Sequence, residues 1–180
     1  MTDSRSRHRT FVVMGVAGCG KSSLGAALAA ALALPLIEGD DHHSAESRAK
    51  MSRGIALDDA DRAGWLDRLG AELARHAAQE GGAVLSCSAL KRAYRDRLRA
   101  ACPGLRFVFL ELDRDEALRR VASRATHFFS SSLVDSQFAT LERPDPALEP
   151  DVLMLSATQP LEMLCAAVVA APISADGVRP

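Results

Sequence analysis

Residues Gly15 to Ser22 read GVAGCGKS and follow directly on the apolar run Phe11-Val12-Val13-Met14. This is the pattern G-x-x-x-x-G-K-[ST] set between a strand and a helix, and it commits the chain to a β-loop-α unit. A strand that delivers the chain into a glycine-rich turn aims successive backbone N–H groups into one concavity. The helix that begins at Lys21 adds the positive end of its dipole. Such a concavity binds phosphate. Lys21 supplies a point charge for the β- and γ-phosphates, and the Ser22 hydroxyl suits a Mg²⁺ ligand. The expected nucleotide-binding stretch is therefore Gly15, Val16, Ala17, Gly18, Cys19, Gly20, Lys21, Ser22 and Ser23, with a nucleoside triphosphate and Mg²⁺ as its ligands.

The remainder of the chain alternates in the same way. Lys21–Ala33 reads as a helix stopped by Pro35, and Leu36-Ile37 as a short buried strand. Helical composition over Ser44–Arg53 ends at Gly54, and an apolar stripe at Trp65, Leu66, Leu69 and Leu73 marks a longer helix from Asp58 towards Gln79. Ala83–Cys87 and Arg106–Leu112 are strands, with helices expected over Leu90–Ala101, Asp113–Arg124 and Ser132–Glu142. Val152–Ser156 is the last strand, and a helix follows Pro160. Strands alternating with helices imply a parallel sheet covered on both faces. The expected fold is thus α/β: a P-loop NTPase-type three-layer α/β/α sandwich, with a five-stranded parallel sheet and a mobile lid like that of nucleoside monophosphate kinases. One domain over residues 1–180 accommodates all of it, with a polar tail over about 1–10, a lid over about 124–132 and a frayed tail over about 171–180.

Composition excludes several classes. A formal net charge of −1 offers no general attraction for nucleic acid. No apolar stretch is long enough to span a bilayer, and the opening MTDSRSRHRT lacks the apolar core of a secretory signal. Cys19, Cys87, Cys102 and Cys165 form no C-x-x-C pair, which fits a reduced, cytoplasmic protein. Cys19 lies among N–H donors that favour a thiolate, but filling a small-residue position is the simpler reading.

In a parallel sheet, ligands sit beyond the carboxyl ends of the strands. After the second strand come Asp40, Asp41, His42 and His43. Asp40 is placed to hold Mg²⁺ through water or to accept the proton of an attacking hydroxyl, although a helix cap is the plainer alternative. Adjacent histidines diverge, so a polar contact from one of them to substrate is expected rather than a metal site. After the third strand, Ser86-Cys87-Ser88-Ala89-Leu90-Lys91 replaces the usual Walker B acid, and Lys91 is the cation nearest the strand end. Arg95, Arg97 and Arg99 are expected to include ordinary solvated helix-face charges. Arg124 stands beside the lid segment containing His127, Phe128 and Phe129, where an arginine closes over phosphates and excludes water. Arg119 and Arg120 suit the carboxyl end of the preceding helix. An acid on the second strand and no Walker B acid suit a small-molecule kinase better than a motor or switch NTPase.

These residues resemble the bacterial gluconokinase family, small P-loop sugar-acid kinases related to shikimate and nucleoside monophosphate kinases. The resemblance runs from Phe11 to about Leu164. It is carried by MGVAGCGKS, GD before His43, Lys50-Met51, G-x-x-L-x-D-x-D-R-x-x-WL (Gly54–Leu66), CSALK (Cys87–Lys91), YRDRLR (Tyr94–Arg99), R-x-x-HFF (Arg124–Phe129), L-x-x-x-QF-x-x-LE-x-P (Leu133–Pro144) and TQPLE (Thr158–Glu162). The resemblance implies ATP-dependent phosphorylation of D-gluconate at its terminal hydroxyl, with Lys21, Asp40 and Arg124 as catalytic residues. It further implies substrate contacts from Asp40, His43, Lys50, Arg53, Asp61, Arg62, Lys91 and His127, and nucleotide contacts from Arg120, Arg124, Gln159 and Pro160. Mg²⁺ would be held by Ser22 and Asp40, and the assembly would be a homodimer. A capped helix start anchored by Trp65 is the alternative for Asp61 and Arg62. Ala17 and Cys19 stand where the family carries serines, and Ser44 and Ala56 where it carries prolines. A shikimate-type or other polyol kinase, or a regulator that binds nucleotide without turnover, are the competing readings.

Overall fold

The computed structural model describes residues 9–123 and 131–171. Five strands, β1 (Phe11–Met14), β2 (Leu36–Glu38), β3 (Val84–Ser86), β4 (Arg106–Glu111) and β5 (Val152–Ser156), pair in parallel in the order β2-β3-β1-β4-β5. Helices α1 (Lys21–Leu32), α2 (Ala45–Ser52), α3 (Asp59–Glu80), α4 (Arg92–Ala101), α5 (Arg114–Ala122), α6 (Ser131–Thr140) and α7 (Leu161–Ala170) fill the crossovers.

The period of two along each strand divides the core between the sheet faces. Phe11 and Val13 pack with Val84, Val108 and Leu110 against Leu24 and Leu28 of α1 and Leu164 and Val168 of α7. Val12 and Met14 point the other way, joining Leu85, Phe107 and Phe109 against Trp65, Leu69 and Leu73 of α3 and Leu98 of α4. All four residues of β1 are buried, as a central parallel strand covered on both faces requires. The stripe read from the sequence of α3 is this buried face, and an Asp58–Asp61 capping box starts the helix. β1 is flanked by β3 and β4. The chain therefore leaves β1 for one side of the sheet and later crosses to the other, and the crevice for ligands opens at that switch.

Two expectations need correction. The helix expected from Leu90 begins only at Arg92, because Ala89 adopts a left-handed φ of 43° and holds the preceding segment as a loop. After β2, Gly39–His42 forms a 3₁₀ turn that carries Asp40. Arg95 is not a solvated charge. It is 1% exposed, its guanidinium donates to both carboxylate oxygens of Glu149 at 2.7 and 2.6 Å, and Nη1 reaches the carbonyls of Ala89 and Leu90. Arg97, by contrast, is a surface charge paired with Asp67. Of the expected lid, residues 124–130 lie outside the described residues, and helix α6 begins at Ser131.

Candidate functional site

Glycines shape the loop between β1 and α1. Gly15 has φ of 143°, and a Cβ there would stand 2.8 Å from both the Leu110 carbonyl and the Cys19 sulfur. That crowding explains Gly15 and also settles Cys19, whose buried side chain packs into the turn as a small filler. Its backbone stays in the loop. The loop is tied down from two directions: Gly15 N–H donates to the Ser88 carbonyl at 3.3 Å, and Ala17 N–H to Gln137 Oε1 at 2.6 Å. Lys21 Nζ donates to the Val16 carbonyl at 3.0 Å, which folds the ammonium back over the turn.

Ser22 opens α1 and faces the end of the sheet. Its hydroxyl donates to Glu38 Oε2 at 3.1 Å and lies 3.5 Å from Ser86 Oγ. Glu38, the last residue of β2, is a carboxylate that the sequence reading passed over in favour of Asp40. Its signal was present: an acid ending a strand beside the P-loop strand's own neighbour.

The 3₁₀ turn after β2 presents Asp40 with its side chain 89% exposed, and Ser44, not Asp40, caps α2. Trp65 fixes this turn. Fully buried, it donates its indole N–H to the Gly39 carbonyl at 2.7 Å and stacks on His43 at 4.3 Å between ring centroids. Gly39 leaves no room for movement on the sheet side, because a Cβ there would meet the Ser86 carbonyl at 2.6 Å. His43 Nε2 lies 3.9 Å from Asp40 Oδ1, and its Nδ1 is buried without a hydrogen-bond partner among the described residues. Burial pushes the His43 pKa down to about 4, against the pull of Asp40, so the ring is neutral near pH 7. At the end of β3, burial pushes the Cys87 thiol up to about 12, which removes it as a nucleophile.

These parts meet in a cleft of about 400 Å³. One side is built by Ala17, Gly18, Gly20, Lys21, Ser22 and Ser23, the other by Asp40, His43, Met51, Ser52 and Arg62, with Arg48 beside them. Ser86 and Ser88 form part of the lining, and Val121 and Gln137 come in from α5 and α6. The expected substrate residues divide accordingly. Asp40, His43 and Arg62 face the cleft; Lys50, Arg53, Asp61 and Lys91 do not. Lys50 is held by Asp61 at 2.6 Å, which raises the lysine pKa and lowers that of the acid. Lys91 is held by Asp59 at 2.8 Å, and Tyr94 O–H donates to the same carboxylate. Arg53 caps the carboxyl end of α2 and donates to the Ala49 carbonyl. Lys50 and Lys91 sit on matching motifs, but all three cations are engaged by their own helix or a neighbour.

Among the nucleotide-side expectations, Arg120 pairs with Glu116 at 2.6 Å and donates to the Ala157 carbonyl, with the Gly18 carbonyl at 3.5 Å. It braces α5 against the phosphate loop. Gln159 and Pro160 lie in the turn before α7 and are not part of the cleft lining. Arg124 and His127 lie outside the described residues. Arg48, Met51, Ser52, Ser86, Ser88, Val121 and Gln137 were missed as cleft residues. Met51, Ser86, Ser88 and Gln137 belonged to segments already singled out; Arg48 carried no motif signal at all.

Comparison with known proteins places this geometry among related chains. The shikimate kinase family model matches residues 17–142. The thermosensitive gluconokinase of Escherichia coli K12 is 43% identical over 147 residues, covering 81% of this chain and 78% of that protein. The crystal structure of a gluconokinase from Sinorhizobium meliloti superposes with a TM-score of 0.80 at 44% identity, covering 92% of each chain. An unliganded sugar kinase from Janibacter superposes with a TM-score of 0.84 at 38% identity, covering 89% of this chain and 92% of that one.

Proposed function

The chain belongs to the gluconokinase family, and from that premise we infer that it transfers the γ-phosphoryl group of ATP to D-gluconate, giving 6-phosphogluconate and ADP. One observation carries the reading: a single cleft joins the phosphate loop, with Lys21 and Ser22, to the turn bearing Asp40 and to His43 and Arg62. A donor and an acceptor bound across such a cleft react as neighbours, which is most of what phosphoryl transfer requires of a protein.

The roles follow from the chemistry of each group. Loop N–H groups and the amino end of α1 hold the triphosphate, and Lys21 leaves the Val16 carbonyl to pair with its oxygens. Asp40, exposed on its turn, accepts a hydrogen bond from the acceptor's terminal hydroxyl and takes its proton as the oxygen attacks. Neutral His43 contributes a hydrogen-bonding edge without adding charge beside that acid. Arg124, in the lid segment, is proposed to stabilise charge on the transferring group.

The oxygen donors around Ser22 fit Mg²⁺: a hydroxyl, the Glu38 carboxylate within 3.1 Å, and the Ser86 hydroxyl. Ser22 and Glu38, with Asp40, would hold the ion, which would neutralise phosphate charge. Among the described residues no three His, Cys, Asp or Glu side chains cluster as a metal site. A cytoplasmic location and a homodimer belong to the same proposal. All four cysteines are free, and no described helix is long and apolar enough to cross a membrane; the dimer rests on the family resemblance.

The test is ADP release from purified protein across gluconate, shikimate, AMP and neutral polyols. Turnover dependent on gluconate is expected. Asp40→Asn should retain ATP binding while kcat falls by about 10²–10⁴. Turnover that shikimate supports and gluconate does not would overturn the assignment, and an unchanged kcat in the Asn variant would remove Asp40 from the mechanism.

A further inference from the structure

The acceptor's acid end needs a cationic partner, and most of the expected cations are engaged elsewhere. Lys50 and Lys91 are each neutralised by an aspartate, and Arg53 does not reach the cleft. Arg68, close enough to influence His43, gives both Nε and Nη2 to the His42 carbonyl. Among the described residues two guanidinium groups remain that face the cleft: Arg48 from α2 and Arg62 from the first turn of α3.

Their bonding sets them apart. Arg48 Nη1 donates to the Asp41 carbonyl at 3.3 Å, and Arg62 Nε to the Leu57 carbonyl at 3.4 Å. Neither appears in an ion pair among the described residues. A backbone carbonyl orients a guanidinium without neutralising it, and each arginine keeps most of its five donors. Arg62 is further steadied by Tyr94, whose ring centroid is 5.8 Å from the guanidinium carbon. Lys21, the remaining cation of the lining, belongs to the phosphate loop. Among the described residues the cleft thus has a cation on its phosphate side and two on its acceptor side, against Asp40 as the single carboxylate of the lining.

We propose that Arg48 joins Arg62, already expected on the substrate side from the family resemblance, in holding the carboxylate of the acceptor, and that Arg48 determines the preference for a sugar acid over a neutral polyol. This rests on the kinase reading above. The planar fork of arginine matches a carboxylate through two parallel hydrogen bonds. Holding the acid end on α2 and α3 leaves the polyol chain to present its hydroxyl to Asp40. Arg48 is exposed, so its side chain can be removed with little effect on the fold.

Steady-state kinetics of Arg48→Ala and Arg48→Lys test the subsite, with KM measured for gluconate and ATP. Glucitol, which carries a hydroxymethyl group in place of the carboxylate, is titrated as a competitor of gluconate. In Arg48→Ala the KM for gluconate should rise roughly tenfold, with kcat and the KM for ATP nearly unchanged. The inhibition constant for glucitol should not move, and Arg48→Lys should restore part of the loss. An unchanged KM for gluconate would overturn the proposal. So would an equal loss for glucitol, which indicates general pocket damage, or a rise confined to the KM for ATP, which assigns Arg48 to phosphate. If the wild-type protein releases no ADP with gluconate, the kinase reading fails and takes the subsite with it.

Discussion

Glu149→Gln tests the part of the structure that no local pattern announced. Glu149 is 3% exposed and accepts hydrogen bonds from Arg95 at 2.7 and 2.6 Å and from Arg99 at 2.8 Å. Glutamine keeps the shape but loses the charge, and it turns an amide N–H₂ towards a guanidinium. The Arg95 guanidinium is then buried without a counter-charge, which costs about 3–5 kcal/mol. A second route gives a similar figure. Burial opposes ionisation of Glu149, but the bonds from Arg95 and Arg99 outweigh it and bring the pKa from 4.5 down to about 2. At about 1.4 kcal/mol per pH unit, that displacement corresponds to about 3 kcal/mol. Because the folded-state value is depressed, this stability is fully present above about pH 4.5 and is lost as the pH falls towards 2. Urea unfolding followed by circular dichroism, at neutral pH and stepwise down to pH 3, measures both effects. The variant should lose about 3 kcal/mol at neutral pH with an unchanged m-value, and its stability should fall less steeply with acid than that of the wild type. A loss under about 1 kcal/mol, or an acid limb identical to the wild type, would refute the reasoning. Since domains of this kind are stable by about 5–15 kcal/mol, the effect is large enough to see. The same arginine holds the Ala89 and Leu90 carbonyls, and neighbouring Ser88 accepts from Gly15 N–H, so the KM for ATP should rise in the variant as well.

Two further substitutions address the turn that carries Asp40. Trp65→Phe keeps most of the buried ring but leaves the Gly39 carbonyl without its 2.7 Å donor; a loss of about 1–3 kcal/mol in thermal or urea unfolding and a lower kcat are expected, and wild-type kcat would show that the turn does not need this bond. Gly39→Ala places a methyl group 2.6 Å from the Ser86 carbonyl, so the turn must shift off β3; kcat for gluconate should drop at least about tenfold, and full activity would mean the Asp40 position tolerates that displacement.

The ease of reading varied with the range of the interaction. β1 and its loop were legible because FVVM followed by GVAGCGKS is a local pattern with a local cause. The α3 stripe was legible for the same reason: a 3.6-residue period shows which side is buried whatever it is buried against. Arg95 was misread because a charged helix residue shows nothing of a partner 54 positions away. Lys50, Asp61 and Lys91 were drawn to the site by motif identity, and only side-chain direction shows that they face one another or Asp59. Arg48 was passed over because it occupies an unremarkable helical position whose meaning comes from the cleft opposite.

By itself the sequence determined that strands alternate with helices, that a phosphate loop follows the first strand, and that an acid follows the second. Each is fixed by short-range stereochemistry: glycine torsions, strand and helix periods, and the ends of elements. The tertiary structure alone decided which charges remain available to a ligand. A cation's availability depends on whether a carboxylate from a distant segment reaches it first. Packing α2 and α3 over the carboxyl edge of the sheet paired Lys50 and Lys91 and left Arg48 and Arg62 facing Asp40's cleft.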